Sequence, residues 1–119
     1  MAHRHGKPII LHSCGNLVEI MDDLVAYGYG GKHSFEDAIQ PGILELHRKY
    51  GQKIALLGGI DVDFLCRSSE DAIRQRVRAY IDAMGPEGGY CLGSGNSIPG
   101  YVPIEKYWAM LDEGLKYGR

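Results

Sequence analysis

A single pattern organises this chain: a short apolar run ends at glycine or polar residues and is followed by a segment with helical periodicity. It occurs clearly at residues 8–11, 53–57 and 89–92, and residues 30–35 form a weaker, more polar fourth example. Short apolar runs bounded by proline and glycine are typical of buried parallel strands. Strands that alternate with helices predict a parallel sheet with right-handed crossovers. The sequence therefore predicts an α/β fold.

The number of repeats narrows the choice of architecture. Four strand–helix units in 119 residues come close to the ~30 residues that one unit needs. Four units make half of a (β/α)8 barrel, for which about 250 residues are typical. The alternative is a small doubly wound sheet, which usually has a glycine-rich phosphate-binding turn after its first strand. Because residues 12–16, His-Ser-Cys-Gly-Asn, are not such a turn, we favour the half barrel. We expect it to form a single domain that spans residues 1–119.

Charge and composition exclude several classes of partner. The formal net charge is −2, and 13 basic and 15 acidic residues are well mixed along the chain. No basic stripe indicates nucleic-acid binding, and no apolar run approaches the length of a membrane span. The chain has three cysteines, and a small, odd number of cysteines argues against a disulfide framework. We therefore expect a cytoplasmic protein with reduced thiols. Because a half barrel leaves two sheet edges unpaired, we also expect a homo-oligomer.

His12 and Cys14 are the sharpest chemical signal in the sequence. They follow the first apolar run, and residues two apart on a strand point to the same side. Imidazole nitrogen and thiolate sulfur are both zinc ligands, so the pair predicts a zinc site or an activated thiol. A catalytic zinc needs three protein ligands, and Cys91, Glu36 and His33 are the candidates for the third. The alternative is a hydrogen-bonded histidine beside a small buried thiol.

Polar residues also lie at the tip of the second, weak strand and just after it. His33, Glu36 and Asp37 form a cluster that predicts an acid–base pair or groups that orient a substrate. A solvated loop with an incidental histidine is the alternative explanation. Because the carboxyl ends of parallel strands share one edge of the sheet, we expect this cluster to lie near His12.

The third and fourth runs end in glycine-rich segments. Asp61 follows Gly58 and Gly59, whose small size lets the backbone approach a ligand closely, and Asp63 is better placed to start a helix. Asn96 and Ser97 lie in a loop whose amides are suited to binding an anion. Ser68 or Ser69 is predicted to cap the long third helix. The packing surface of the last helix is predicted to come from Tyr107, Trp108, Leu111 and Leu115.

Several of these segments together resemble the uroporphyrinogen decarboxylase superfamily. They are residues 9–17, the Gly-Gly-Ile-Asp-Val segment at 58–62, residues 88–98, and Val-Pro-Ile-Glu at 102–105. The similarity covers essentially all 119 residues and corresponds to the C-terminal half of the family's (β/α)8 barrel. The superfamily contains tetrapyrrole decarboxylases, which need no cofactor. It also contains corrinoid- or coenzyme M-linked methyltransferases, many of which depend on zinc.

The resemblance implies roles for individual residues. His12 and Cys14 match two zinc ligands of the methyltransferases, in which zinc activates a thiol that attacks a cobalt-bound methyl group. The third ligand of that family, a cysteine, corresponds to Asn96 here, so that Cys91 would have to substitute for it. Asp61 matches an acidic residue of the decarboxylases. Their histidine in the final glycine-rich loop is absent from this chain.

These observations lead to one functional prediction with two alternatives. The chain is expected to be methyltransferase-like and to transfer a methyl group between a corrinoid and a thiol or another acceptor. The alternatives are a carboxy-lyase that acts on a tetrapyrrole and a catalytically incomplete fragment. Expected partners are a small-molecule substrate or a corrinoid protein. The predicted site comprises catalytic Glu36 and Asp61, substrate-binding His33, Asn96 and Ser97, and metal-binding His12, Cys14 and Cys91.

Overall fold

Four parallel strands form one sheet in a computed structural model, in the order β1-β2-β3-β4. The strands are β1 Ile10–His12, β2 Gly31–His33, β3 Ala55–Ile60 and β4 Tyr90–Ser94. The structure describes residues 2–118, so that Met1 and Arg119, at the ends of the predicted domain, lie outside the described residues. Helices alternate with the strands, which confirms the predicted α/β fold.

Five α-helices are described. They are α1 Met21–Ala26, α2 Ile43–Tyr50, α3 Val62–Arg67, α4 Glu70–Met84 and α5 Ile104–Tyr117. Short 3₁₀ helices lie at Ala2–His5 and Val18–Ile20. Of the helices in residues 2–118, none has both the length and the apolar character needed to cross a membrane.

The register of the sheet determines which of the predicted site residues lie opposite each other on neighbouring strands. His12 lies opposite His33, which lies opposite Leu57, and Leu57 lies opposite Cys91. Because all strands are parallel, their carboxyl ends meet at one edge, together with the loops that follow them. The predicted convergence of polar residues at this edge therefore has a structural basis.

The helices cover one face of the sheet. Leu56 and Ile60 of β3 are fully buried beneath them, as expected for the central strand of a parallel sheet. The α4 helix begins at Ser69, whose hydroxyl accepts a hydrogen bond from the Ala72 N–H at 3.3 Å. This settles the predicted cap in favour of Ser69. The buried residues of α4 recur at intervals of three and four: Ile73, Val77, Tyr80 and Met84.

The last helix packs through only part of the predicted surface, because Tyr107 and Leu111 are partly buried against the core as predicted and the other two residues are not. Trp108 is 58 % exposed and Leu115 is also exposed, whereas Ala109 and Met110 are buried. The buried face also carries Glu113, whose carboxylate accepts hydrogen bonds from arginines of α4. The α5 helix thus has apolar residues on two faces, and only one of them lies against α4 and the sheet. Hydrophobic periodicity alone does not distinguish these faces.

Candidate functional site

Two histidines meet at the carboxyl ends of β1 and β2. The Nδ1 atoms of His12 and His33 are 2.7 Å apart, and the Nε2 atom of His33 is 3.0 Å from the carbonyl oxygen of Ser94. A carbonyl only accepts, so His33 Nε2 carries the proton and His33 Nδ1 is the acceptor. His12 Nδ1 then donates, so that His12 Nε2 is an acceptor on the side of Cys14. This chain of hydrogen bonds fixes the orientation and tautomer of His12.

The Nε2 atom of His12 faces the thiol of Cys14. The Sγ atom of Cys14 is 3.8 Å from His12 Nε2 and accepts a hydrogen bond of 3.2 Å from the side-chain amide of Asn96. The Asn96 side chain is held in turn, because its Oδ1 accepts from the Ser97 N–H at 2.8 Å. Residues predicted separately from the first and last glycine-rich segments therefore form one cluster. We call His12, His33, Cys14 and Asn96 the strand-end cluster.

Lys32 directly precedes His33 of the strand-end cluster on β2 and is only 2 % exposed. Its ammonium donates to the carbonyl oxygen of Ser34 and lies over the Phe35 ring, 4.1 Å from the centroid. Burial lowers the pKa of Lys32 to about 8, and the charges of Cys14 and Glu36 partly oppose this shift. Sequence reasoning missed this residue. The available signal was a lysine inside a short strand, in register with Leu11 and Leu56.

The lowered pKa of Lys32 predicts a measurable dependence of stability on pH. Between about pH 8 and 10.5 the unfolded chain binds this proton and the folded chain does not, so the free energy of unfolding rises with pH. Across this window we expect the free energy of unfolding of the wild type to rise on the order of 1 kcal/mol more than that of a Lys32→Met variant. This figure allows for screening by solvent. Urea titrations at pH 7.5 and 10 measure the gain. Lys53→Met, at an exposed position, is the matched control, and an equal gain relative to both variants would contradict the assignment.

Asp61 stands at the carboxyl end of β3 and organises two loops. Its Oδ1 accepts from the Asp63 and Phe64 N–H groups at 2.7 and 3.2 Å, which caps α3, and its Oδ2 accepts from the Asp37 N–H at 3.1 Å. Three backbone hydrogen bonds are typical of a carboxylate that positions loops. The predicted catalytic role of Asp61 stays a prediction.

A cleft of about 800 Å³ opens beside the strand-end cluster. Asn96 lines this cleft as well as contacting Cys14, so that it joins the two parts of the site. Glu36 and Ser97 also line the cleft, and the catalytic role predicted for Glu36 and the substrate-binding role predicted for Ser97 stay predictions. The residues that line it are Glu36, Asp61, Val62, Asp63, Cys66, Arg67, Asn96, Ser97, Pro99 and Tyr101.

Cys91 does not join the strand-end cluster. It lies on β4, with β2 and β3 between it and His12. With strands about 4.8 Å apart, the two residues are separated by roughly 14 Å, well beyond the reach of a shared metal ion. Residues 2–118 contain no group of three histidine, cysteine or acidic side chains placed to hold a metal. His12 and Cys14 provide two ligands, and the three-ligand set that catalytic zinc requires is not formed by the part of the chain that the structure describes.

The architecture and the position of the strand-end cluster define the structural class of this protein. This is an α/β protein of the parallel barrel type, with its polar groups at the carboxyl ends of the strands. The family model for uroporphyrinogen decarboxylase (URO-D) matches residues 1–117. The chain belongs to the uroporphyrinogen decarboxylase family, as its sequence motifs predicted.

Individual relatives agree with the family assignment and show how much of a family member this chain covers. The uroporphyrinogen decarboxylase of Thioalkalivibrio sulfidiphilus (strain HL-EbGR7) is 32 % identical over 74 residues, which are 62 % of this chain and 21 % of the relative. A solved methyltransferase from Methanosarcina mazei superposes with a TM-score of 0.75 at 23 % identity, covering 99 % of this chain and 34 % of that structure. The chain thus spans about a fifth to a third of the relatives it matches.

Proposed function

We propose that this chain forms part of a methyltransferase-like site, in which a methyl group passes from a corrinoid to a thiol acceptor. The observation that supports this proposal is the strand-end cluster: His12 Nε2, which is placed as an acceptor, faces the thiol of Cys14 at 3.8 Å. The His-x-Cys pair is also the feature by which the sequence resembles the methyltransferases of the family and differs from its decarboxylases.

The groups of the cluster match the demands of this reaction. A bound corrinoid would supply the methyl group, and the transfer would exchange a cobalt–carbon bond for a sulfur–carbon bond, with the electron pair left on the cobalt. The acceptor thiol must lose its proton, because the thiolate is the nucleophile. His12 Nε2 is an acceptor for that proton, and His33 and the Ser94 carbonyl hold the ring in the required tautomer. Asn96 donates at 3.2 Å to the sulfur of Cys14, which holds this thiol beside His12.

Zinc would supply a Lewis acid that lowers the pKa of a bound thiol. The described residues provide two ligands, His12 and Cys14, so no step is assigned to the metal. Zinc binding by this pair stays a prediction. Their arrangement is nevertheless suited to it, because a histidine ligand usually donates its other ring N–H to a neighbouring acceptor, as His12 does to His33.

A second candidate function is decarboxylation of a tetrapyrrole. Both the description of the matching family model and the name of the Thioalkalivibrio relative favour it. Glu36 and Asp61 in the 800 Å³ cleft would be the acidic residues available for proton transfer in that case.

One experiment separates these two functions. The 119-residue chain is incubated without oxygen with methylcobalamin and 2-mercaptoethanesulfonate, and in parallel with uroporphyrinogen. We expect the methyl thioether in the first reaction and no decarboxylated porphyrinogen in the second, both measured by mass spectrometry. Decarboxylated product without thioether, or the absence of both products, would contradict the proposal.

Replacement of Cys14 tests whether the strand-end cluster is responsible. We expect Cys14→Ser to slow thioether formation by at least about tenfold, because a hydroxyl neither ionises like a thiol nor replaces its sulfur next to His12. Cys91→Ser is the matched control, since it removes an equally exposed thiol from outside the cluster. Equal rates for the two variants would show that Cys14 takes no part.

A further inference from the structure

Two consecutive glycines interrupt the extended conformation of β3. Gly58 has φ +103° and Gly59 has φ +93°, although both lie within the strand. Residues with a Cβ atom rarely adopt this left-handed conformation, and glycine inside a strand weakens it. Paired glycines here therefore indicate the close approach of other groups. At Gly59 that group is Ile43 of α2, whose Cδ1 atom would lie 2.7 Å from a Cβ atom.

The group that approaches Gly58 belongs to the strand-end cluster. A Cβ atom at position 58 would lie 3.1 Å from His33 Cδ2, 3.2 Å from His33 Nε2 and 2.8 Å from the carbonyl oxygen of Ser94. The imidazole and this carbonyl are the two groups that share the hydrogen bond of 3.0 Å described above. The absence of a side chain at Gly58 therefore leaves the space in which this hydrogen bond forms.

The Gly58 peptide is itself held by a side chain. The Tyr90 hydroxyl donates to the carbonyl oxygen of Gly58 at 3.1 Å. Burial raises the pKa of Tyr90 above its ordinary value, so that the hydroxyl stays protonated and remains a donor. The Tyr90 ring meets Tyr80 of α4 edge to face, with the ring centroids 6.4 Å apart. The position of Gly58 is thus tied, through Tyr90, to the packing of α4 on the sheet.

We propose that Gly58 is a positioning residue that sets the ring orientation of His33 and, through it, the tautomer of His12. His33 Nδ1 is free to accept from His12 Nδ1 at 2.7 Å because the proton of His33 lies on Nε2, where the Ser94 carbonyl accepts it. A side chain at position 58 displaces the ring from that carbonyl, and both imidazoles then lose the partner that selects one tautomer. The inference rests on the proposed function only for the role of His12 as a proton acceptor.

The tautomers themselves are the readout of the test. Proton–nitrogen correlation spectra of isotope-labelled histidine distinguish the Nδ1–H from the Nε2–H form, and they are recorded above the ordinary pKa of histidine with a chelator present. In the wild type we expect His12 as the Nδ1–H form and His33 as the Nε2–H form. In Gly58→Ala the Nε2–H form of His12 should appear beside the Nδ1–H form. Gly93→Ala is the matched control on β4, because a Cβ atom there makes only ordinary contacts with Gly58, of 3.7 and 3.9 Å, and should leave the wild-type pattern unchanged.

A second variant keeps the test decisive if Gly58→Ala does not fold. Tyr90→Phe retains the glycine and removes only the hydroxyl that holds its carbonyl, and it should also produce a mixture of His12 tautomers. Mixed tautomers in the wild type, or equal spectra for Gly58→Ala and Gly93→Ala, would overturn the proposal. So would wild-type tautomers in a folded but less stable Gly58→Ala, or in Tyr90→Phe when Gly58→Ala is unfolded. A wild type that shows the expected tautomers but forms no thioether would count against the proposed function alone.

Discussion

Substitution of Gly89 by alanine is expected to destabilise this protein by about 3–5 kcal/mol, enough to unfold much of the population at 37 °C. Gly89 has φ +70°, and a Cβ atom there would lie 2.0 Å from the carbonyl oxygen of Gly51. That oxygen belongs to the backbone at the end of α2, so relief of the contact requires α2 and β4 to move apart. The carbonyl of Gly89 also accepts from the Leu56 N–H at 2.8 Å, at the start of the β3–β4 ladder.

The neighbouring glycine provides a matched control. Gly88 has the same φ of +70°, but a Cβ atom there would have no heavy atom within 4 Å. Gly88→Ala should therefore cost only the conformational penalty of a left-handed alanine, about 1–2 kcal/mol. Urea unfolding followed by circular dichroism measures both variants. Equal destabilisation would show that backbone conformation alone, and not the contact with Gly51, determines the cost.

Replacing Asn96 by cysteine is expected to create a zinc site of three ligands. The Asn96 amide nitrogen lies 3.2 Å from Cys14 Sγ, and Cys14 is next to His12 Nε2, so a thiol at position 96 would come close to both ligands. Structural zinc sites gain about 10–16 kcal/mol from four ligands, or roughly 3 kcal/mol from each. One added thiolate should therefore raise the zinc affinity on the order of 100-fold.

Competition with a chromogenic chelator under reducing conditions measures this gain, and elemental analysis gives the stoichiometry. Ser97→Cys adds a thiol to the same loop at an exposed position outside the strand-end cluster, and should leave the affinity close to that of the wild type. If both cysteine variants bind zinc equally, the metal is held by loop thiols in general and the geometry of the strand-end cluster is not responsible.

Much of the architecture was determined by the sequence alone. Alternating apolar runs and helical segments, with glycine and proline at their junctions, predicted four parallel strands and the polar residues at their ends. These are local properties, because buried parallel strands are mostly apolar and tend to end where polar residues begin. The same local chemistry narrowed the cap of α4 to Ser68 or Ser69 and placed His12 and Cys14 side by side.

Contacts between distant segments were decided only by the tertiary structure. The hydrogen bond from Asn96 to Cys14 joins residues 82 positions apart, and the pairing of His12 with His33 depends on the register of two strands. Cys91 was a candidate ligand by residue type, and the strand order separates it from the pair. Residue type identifies which groups can react, whereas the order and register of the strands determine which of them meet.

Burial was the other property that the sequence did not determine. Lys32 is buried because its strand position faces the helices, although lysine alone indicates an exposed residue. Trp108 is exposed although its apolar character indicates a core residue, because the face of α5 that packs on α4 carries Ala109, Met110 and Glu113 instead. A helix with two apolar faces buries the one that meets its neighbours, and those neighbours are set by the fold as a whole.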